Sequence, residues 1–226
     1  GQGGLPVDPA KAAALFRQAA GQGYALALKT LKKLEAAGLA GGGGGGGAGS
    51  GPAPAAAAGD DARDLARRAD REIAAGRLAA AVPLLRRAAE RGNANAQCRL
   101  AFMYAKGEGG LPVDLAKAAA LLHQAAGQGF ADARYNLGVM YDKGEGGLPV
   151  DHAKAAALYR QAADQGHAQA QYNLGVMYRM GQGGLPVDLA KAAALYRQAA
   201  DQGLAEAQYN LGTMYLKGES GLPVDH

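Results

Sequence analysis

The residues able to do covalent or metal chemistry are few in this chain, and their spacing assigns them none. His123, His152, His167 and His226 have no partner at i,i+4 and no neighbouring carboxylates arranged as a ligand set, so no metal site is expected. Cys98 is the only cysteine, which leaves no intramolecular disulfide and no thiolate zinc site. Without a companion histidine it reads as a small apolar helix residue, not a nucleophile. Ser50 and Ser220, the two serines, sit in a linker and in a loop, and no hydrolase triad is visible. Glycine-rich loops such as Gly144-Glu145-Gly146-Gly147 suggest a phosphate cradle, but none carries Gly-x-Gly-x-x-Gly or Gly-Lys-Ser/Thr. They read as helix stops and turns, and their repetition argues against a single active site. No catalytic residue and no cofactor is expected.

What repeats instead is a scaffold. Gly-Leu-Pro-Val-Asp occurs with its leucine at Leu5, Leu111, Leu148, Leu185 and Leu222, the last three steps each being 37 residues. Tyr-Asn-Leu-Gly, followed two residues later by Met-Tyr, recurs in the same register at Tyr135 to Tyr141, Tyr172 to Tyr178 and Tyr209 to Tyr215. Ala170, Leu174 and Tyr178 lie four apart and share one face of a helix, helix A, with Gly175 beside them where a partner can approach closely. After Gly181 the Gly- and Pro-rich loop ends that helix, and Asp188 is the N-cap of a second, helix B. Ala192, Leu195 or Tyr196, Ala199 and Ala200 form its apolar stripe, and Gly203 ends it. A single such pair cannot bury its apolar face, so copies must stack.

Composition agrees with this. Half the residues are hydrophobic, but these are largely alanine, with ten Tyr, three Phe and no Trp, so the interior must be thin. The expected class is all-α: an α/α superhelix, or solenoid, of antiparallel helix pairs with a 37-residue period. The net charge of +4 is scattered without a basic stripe, which speaks against nucleic acid as a partner. Leu78 to Leu85, the longest apolar stretch, is too short to span a bilayer. A lone cysteine leans toward a reducing, cytoplasmic compartment. Gly1 and His226 both fall inside the repeated motif, so both ends read as cut, and the endoplasmic-reticulum lumen stays open.

Leu174-Gly175, Tyr178, the glycine loop, Asp188, Lys191-Ala192, Ala199-Ala200 and Gly203 together resemble the Sel-1-like repeat, a relative of the tetratricopeptide repeat. The pattern returns at Leu100 to Gly129 and Leu137 to Gly166, and in part at Leu211 to Asp225 and Leu5 to Gly23. It departs at Ala101, where other copies have Gly138, Gly175 and Gly212, and at Leu195, where the family often has Trp. On this reading residues 1–37 are the end of a first array closed by a capping helix from Tyr24, because Lys32 and Glu35 replace the packing glycine and tyrosine. Residues 38–59, with seven consecutive glycines, form a flexible linker. Residues 60–93 are a tetratricopeptide-like N-terminal cap, followed by repeats at 94–130, 131–167, 168–204 and a partial copy at 205–226.

The resemblance implies a protein-binding adaptor or scaffold, of the kind found in endoplasmic-reticulum quality control and bacterial signalling. A regulatory or substrate-recruiting region of a larger enzyme or complex is the alternative, and a helical-repeat nucleic-acid binder is a third. Relatives linked to β-lactam chemistry carry paired cysteines in each repeat, which this chain lacks. Aligning Leu-Gly-x-x-Tyr with the tetratricopeptide pattern places a row of helix-A residues on a concave face: Asn95, Cys98, Phe102 and Lys106; Asp132, Tyr135, Val139, Asp142 and Lys143; Gln169, Tyr172, Val176 and Arg179; and Glu206, Tyr209, Thr213, Leu216 and Lys217. This groove is expected to bind a protein or peptide segment, the tyrosines supplying apolar area with a hydroxyl. Equally, the tyrosine rings could pack against the next repeat.

Overall fold

A computed structural model describes residues 7–37 and 61–219. The linker region 38–59, with Ser50, and the terminal Ser220 and His226 lie outside the described residues. Eleven α-helices and no strands are found among the described residues: α1 (Pro9–Gly21), α2 (Ala25–Ala36), α3 (Ala62–Ala74), α4 (Leu78–Glu90), α5 (Ala94–Lys106), α6 (Leu115–Gly127), α7 (Ala131–Lys143), α8 (His152–Ala163), α9 (Ala168–Met180), α10 (Leu189–Asp201) and α11 (Ala205–Lys217). Helices α5, α7, α9 and α11 are the expected helix A copies, and α1, α6, α8 and α10 the helix B copies.

The boundaries follow from local chemistry. Each helix B starts at an aspartate, Asp8, Asp114, Asp151 or Asp188, whose carboxylate accepts the backbone N–H of the lysine three residues on, at 2.9 Å in every copy. Each helix A ends at a left-handed glycine, Gly107, Gly144, Gly181 or Gly218, a conformation that costs a side-chain-bearing residue strain. The loop then folds back, so that the N–H of Asp114, Asp151 and Asp188 donates to the carbonyls of Tyr104, Tyr141 and Tyr178 at 2.9, 2.8 and 2.9 Å. In that loop Gly146 packs so closely on the start of α6 that an added Cβ would sit 2.6 Å from the Leu115 carbonyl oxygen. Gly109 and Gly146 thus serve close packing, whereas Gly110, Gly147 and Gly184 face open space and supply the positive φ of the turn.

The chain divides into two compact units. One, within residues 50–165, stacks α3 to α8 in sequence order, each helix on the next. The other combines residues 1–49 with 166–226, and its packing order is α9, α10, α11, α1, α2. Here α1 stands against α11 as helix B stands against helix A elsewhere. Asp8 N–H donates to the Tyr215 carbonyl at 3.0 Å, and Phe16 is fully buried with its ring over Gly212, the place that Tyr159 takes over Gly138 and Tyr196 over Gly175. Leu31 and Leu34 of α2 close the apolar end of this stack, while Lys32 and Glu35 point outward.

More than half of the buried hydrophobic side chains are alanine, and the largest that are almost wholly enclosed are Tyr159, Tyr196, Phe16, Leu65, Leu85 and Met214. Alanine lets helices approach closely and glycine lets an aromatic ring lie on the backbone. In the copy of α5 and α6 the rule is inverted. Ala101 replaces the glycine and Leu122 the ring, so the added methyl is matched by a narrower partner.

Candidate functional site

In the unit of α3 to α8, helices α5 and α7 carry the expected binding residues. Phe102 is 50% exposed, and the Lys106 ammonium lies 4.1 Å from its ring centroid, a cation–π pair at the surface. Asn95 accepts from Arg99 Nε at 2.8 Å. Asp132 and Lys143 are exposed, and Val139 is half-buried. Tyr135 is half-buried, its ring tilted against Tyr159 with centroids 5.9 Å apart.

In the other unit, α9 and α11 present the corresponding row. Gln169 is exposed and Val176 is half-buried against the α10 core. Tyr172 leans on Tyr196 at 5.7 Å, and its hydroxyl accepts from Asn210 Nδ2 of the following helix A at 3.3 Å. Burial pushes the Tyr196 hydroxyl up to about 12 and raises Tyr172 as well. Tyr209 lies between Phe16 at 5.4 Å and Tyr24 at 5.5 Å. Glu219 meets both Arg179 at 3.4 Å and Lys217 at 3.6 Å. Glu206 is half-buried, and Thr213 donates to its own helix at the Tyr209 carbonyl, 2.9 Å away. The tyrosine row is thus both things at once: one edge of each ring meets solvent and the other is packed against an aromatic residue of its own or a neighbouring helix B.

A second recurring cluster was not anticipated from sequence. The second tyrosine of helix A, which recurs in every copy, is held by residues of the helices before and after it in packing order. Arg86 donates to Tyr104 at 3.0 Å and Arg197 to Tyr215 at 2.6 Å, while His123 Nε2 lies 3.5 Å from the Tyr141 hydroxyl. Lys117, Lys154, Lys191 and Lys11 stand over the rings of Tyr104, Tyr141, Tyr178 and Tyr215 at 5.1 to 5.6 Å. Between these groups open cavities of about 480 and 360 Å³ form around Tyr104 and Tyr141. The signal for it was the fixed spacing of 18 residues from Arg86, His123 and Arg197 to their tyrosines. A third group, the buried Gln97 and Gln208, pins helix A to its neighbours through the carbonyls of Ala89 and Ala200 and through Gln124, Gln128 and Gln22.

The chemistry-bearing residues stay apart. His123 and His152 are exposed, His152 touching Asp142 at 2.7 Å, and His167 Nδ1 accepts from the Ala170 N–H as the N-cap of α9. Cys98 is half-buried, and burial, reinforced by the charge of Asp132, pushes its thiol up to about 11. At neutral pH it is therefore a protonated, weakly nucleophilic group. No cluster of three or more His, Cys, Asp or Glu able to hold a metal is present among the described residues, and none of their helices is long and apolar enough to cross a membrane.

Known proteins place the chain within this architecture. Residues 1–24, 94–130, 131–167, 168–204 and 205–226 match the Sel1 repeat, more than half of the sequence, and the chain belongs to the Sel1 repeat family. It is similar in structure to a protective antigen of uropathogenic Escherichia coli displaying an SLR fold, with 35% identity and a TM-score of 0.65 over 70% of this chain and 34% of the antigen. It is also similar to a Sel1 repeat protein from Oxalobacter formigenes, with 32% identity and a TM-score of 0.64 over 69% of this chain and 61% of that one. The chain thus spans about a third of the first relative's length and three fifths of the second's. No curated protein matches it. Sel1 repeats form a helical repeat scaffold, typically non-catalytic, and generally serve as protein-interaction modules.

Proposed function

We propose that the chain is a non-enzymatic adaptor or scaffold whose helix-A faces dock a segment of a partner protein. The supporting observation is the behaviour of positions that change between copies. While the buried alanine, leucine and methionine positions repeat, the outward residues of α5, α7, α9 and α11 vary in charge and size and remain accessible. Selection for packing alone leaves no reason for an exposed Phe102 capped by Lys106. An accessible aromatic residue beside a cation provides an anchor of the kind on which binding energy concentrates.

The test is a selection of random 12-residue peptides displayed on phage against the intact chain, followed by titration of the enriched peptides. Phe102→Ala and the charge reversals Lys106→Glu and Lys143→Glu should each weaken binding by about tenfold, equivalent to about 1.4 kcal/mol. Val187→Ser, in an exposed loop, should leave it unchanged. Equal affinity in all variants would locate the binding surface elsewhere. Removing the tyrosine rings is a poorer test, because their loss also takes away packing against Tyr159, Tyr196 and Phe16.

A further inference from the structure

The α5–α6–α7 copy lacks side chains that its counterparts supply, and a cavity marks the place. In the α9–α10–α11 copy, Tyr172 fills the space beside Tyr196 and is received by Asn210 Nδ2 at 3.3 Å. Seventy-four residues earlier, two repeats back, the equivalents of Tyr172 and Tyr196 are Cys98 and Leu122. Both rings are gone. Between Cys98, Ala101, Phe102, Leu122 and Val139 an apolar cavity of about 120 Å³ remains, open to solvent at Phe102. An enclosed apolar void of about 150 Å³ takes up benzene; this one is somewhat smaller but open on one side, so a ring can enter it with one edge toward solvent.

Its polar edge is also that of a tyrosine site. Asn136, the counterpart of Asn210, lines the cavity and donates to the Asp132 carbonyl at 2.8 Å, but its other direction meets only the Cys98 sulfur at 4.0 Å, a weak acceptor. A phenol oxygen in the cavity takes up that N–H as Tyr172 does at Asn210. Nearby, Ala105 occupies the position of Arg179, so Glu145, the counterpart of Glu219 and also on the cavity wall, has no guanidinium from that position. Relative to the α9 copy, it is short of a phenol and a cation together.

We propose that this cavity is the anchor pocket for a tyrosine side chain of the docked protein segment, accompanied by an adjacent basic residue that pairs with Glu145. The partner thus inserts in trans a ring of the kind the other copies carry in cis, together with a cation that the α9 copy alone supplies, as Arg179. The pocket rests on the docking reading above and gives it a chemical identity. Apolar walls supply the affinity, and the Asn136 amide discriminates a phenol from a plain ring.

The experiment titrates the intact chain, with methyl-labelled Ala, Leu, Val and Met, with p-cresol, the free equivalent of the tyrosine side chain, and with toluene. p-Cresol should saturably shift the methyl resonances of Ala101, Leu122 and Val139 and bind about threefold or more tighter than toluene, a preference that Asn136→Leu abolishes. Cys98→Tyr restores the chain's own ring and should weaken p-cresol by about tenfold or more. Cys98→Met, which fills the space with a flexible chain, does the same should the tyrosine variant fold poorly by circular dichroism. Shifts that are absent, or that persist in both filled variants, would overturn the pocket. In the second arm N-acetyl-Tyr-Arg-amide should bind about fivefold tighter than N-acetyl-Tyr-Glu-amide, the gap closing in Glu145→Gln. Equal binding would overturn the cationic half of the proposal. Neither arm uses the natural partner, so failure here leaves the peptide-selection test of docking to stand or fall separately.

Discussion

At the residue scale, the contact that distinguishes the copies is glycine beneath an aromatic ring. A Cβ added at Gly138 would lie 2.8 Å from Cε1 of Tyr159, well inside van der Waals contact. Gly138→Ala should therefore destabilise the chain by about 1–3 kcal/mol, as overpacking of a close-packed core does. Combined with Tyr159→Leu it reproduces the Ala101–Leu122 pairing, and the double variant should lose less than the two single ones together, by about 0.5–3 kcal/mol. Strictly additive denaturation midpoints would show that the two copies are not packing alternatives. Cys98 gives a second prediction at this scale. With its thiol pushed up to about 11, alkylation by iodoacetamide at pH 7.5 should be slow and should accelerate about tenfold per pH unit until pH approaches that value. A rate that levels off near pH 8.5 would mean a solvent-exposed, unperturbed thiol.

At the scale of the helix, the aspartate caps carry a pH signature. The backbone N–H and the ammonium of the lysine three residues on hold the Asp151 and Asp188 carboxyls below their usual range. A carboxylate with a depressed folded value contributes stability that is fully present above its unfolded value near 3.9 and is lost as pH falls through the lower folded value. Thermal stability should accordingly fall through the acid range below pH 4. Asp151→Asn with Asp188→Asn, which retains a good cap without a titrating group, should flatten that acid limb while altering the neutral-pH Tm little. An unchanged acid limb would assign the loss to other carboxylates.

At the scale of the whole molecule, the N-terminal helix α1 stands against α11 as helix B stands against helix A in the internal copies. Phe16 is fully buried against Gly212 and Tyr209, and Asp8 closes the same loop bond to Tyr215 that the internal repeats make. Phe16→Ala should cost about 3–5 kcal/mol, as loss of a buried phenylalanine does, and hydrogen exchange should report that loss in the amides of α11. Unaltered protection of α11 would show that it is held without α1.

Much of this architecture is local and therefore readable from the chain itself. The 37-residue period, the aspartate caps and glycine stops, the thin alanine core and the repeat boundaries at 94, 131, 168 and 205 all depend on residues within one copy. The row of helix-A residues was legible for the same reason, since 3.6-residue periodicity assigns faces within a helix. Whether the tyrosines were exposed or packed was not, because that depends on rings contributed by helix B and, at Tyr209, by Phe16 and Tyr24 from the other end of the chain. Nor does periodicity reveal a cavity, which arises where two separate substitutions, Cys98 and Leu122, meet in space. Tertiary structure alone decided that α1 packs on α11. The helix B copies share the Ala-Lys-Ala-Ala-Ala-Leu string, so each presents nearly the same surface, and complementarity cannot choose among them until the chain is folded and one helix stands within reach.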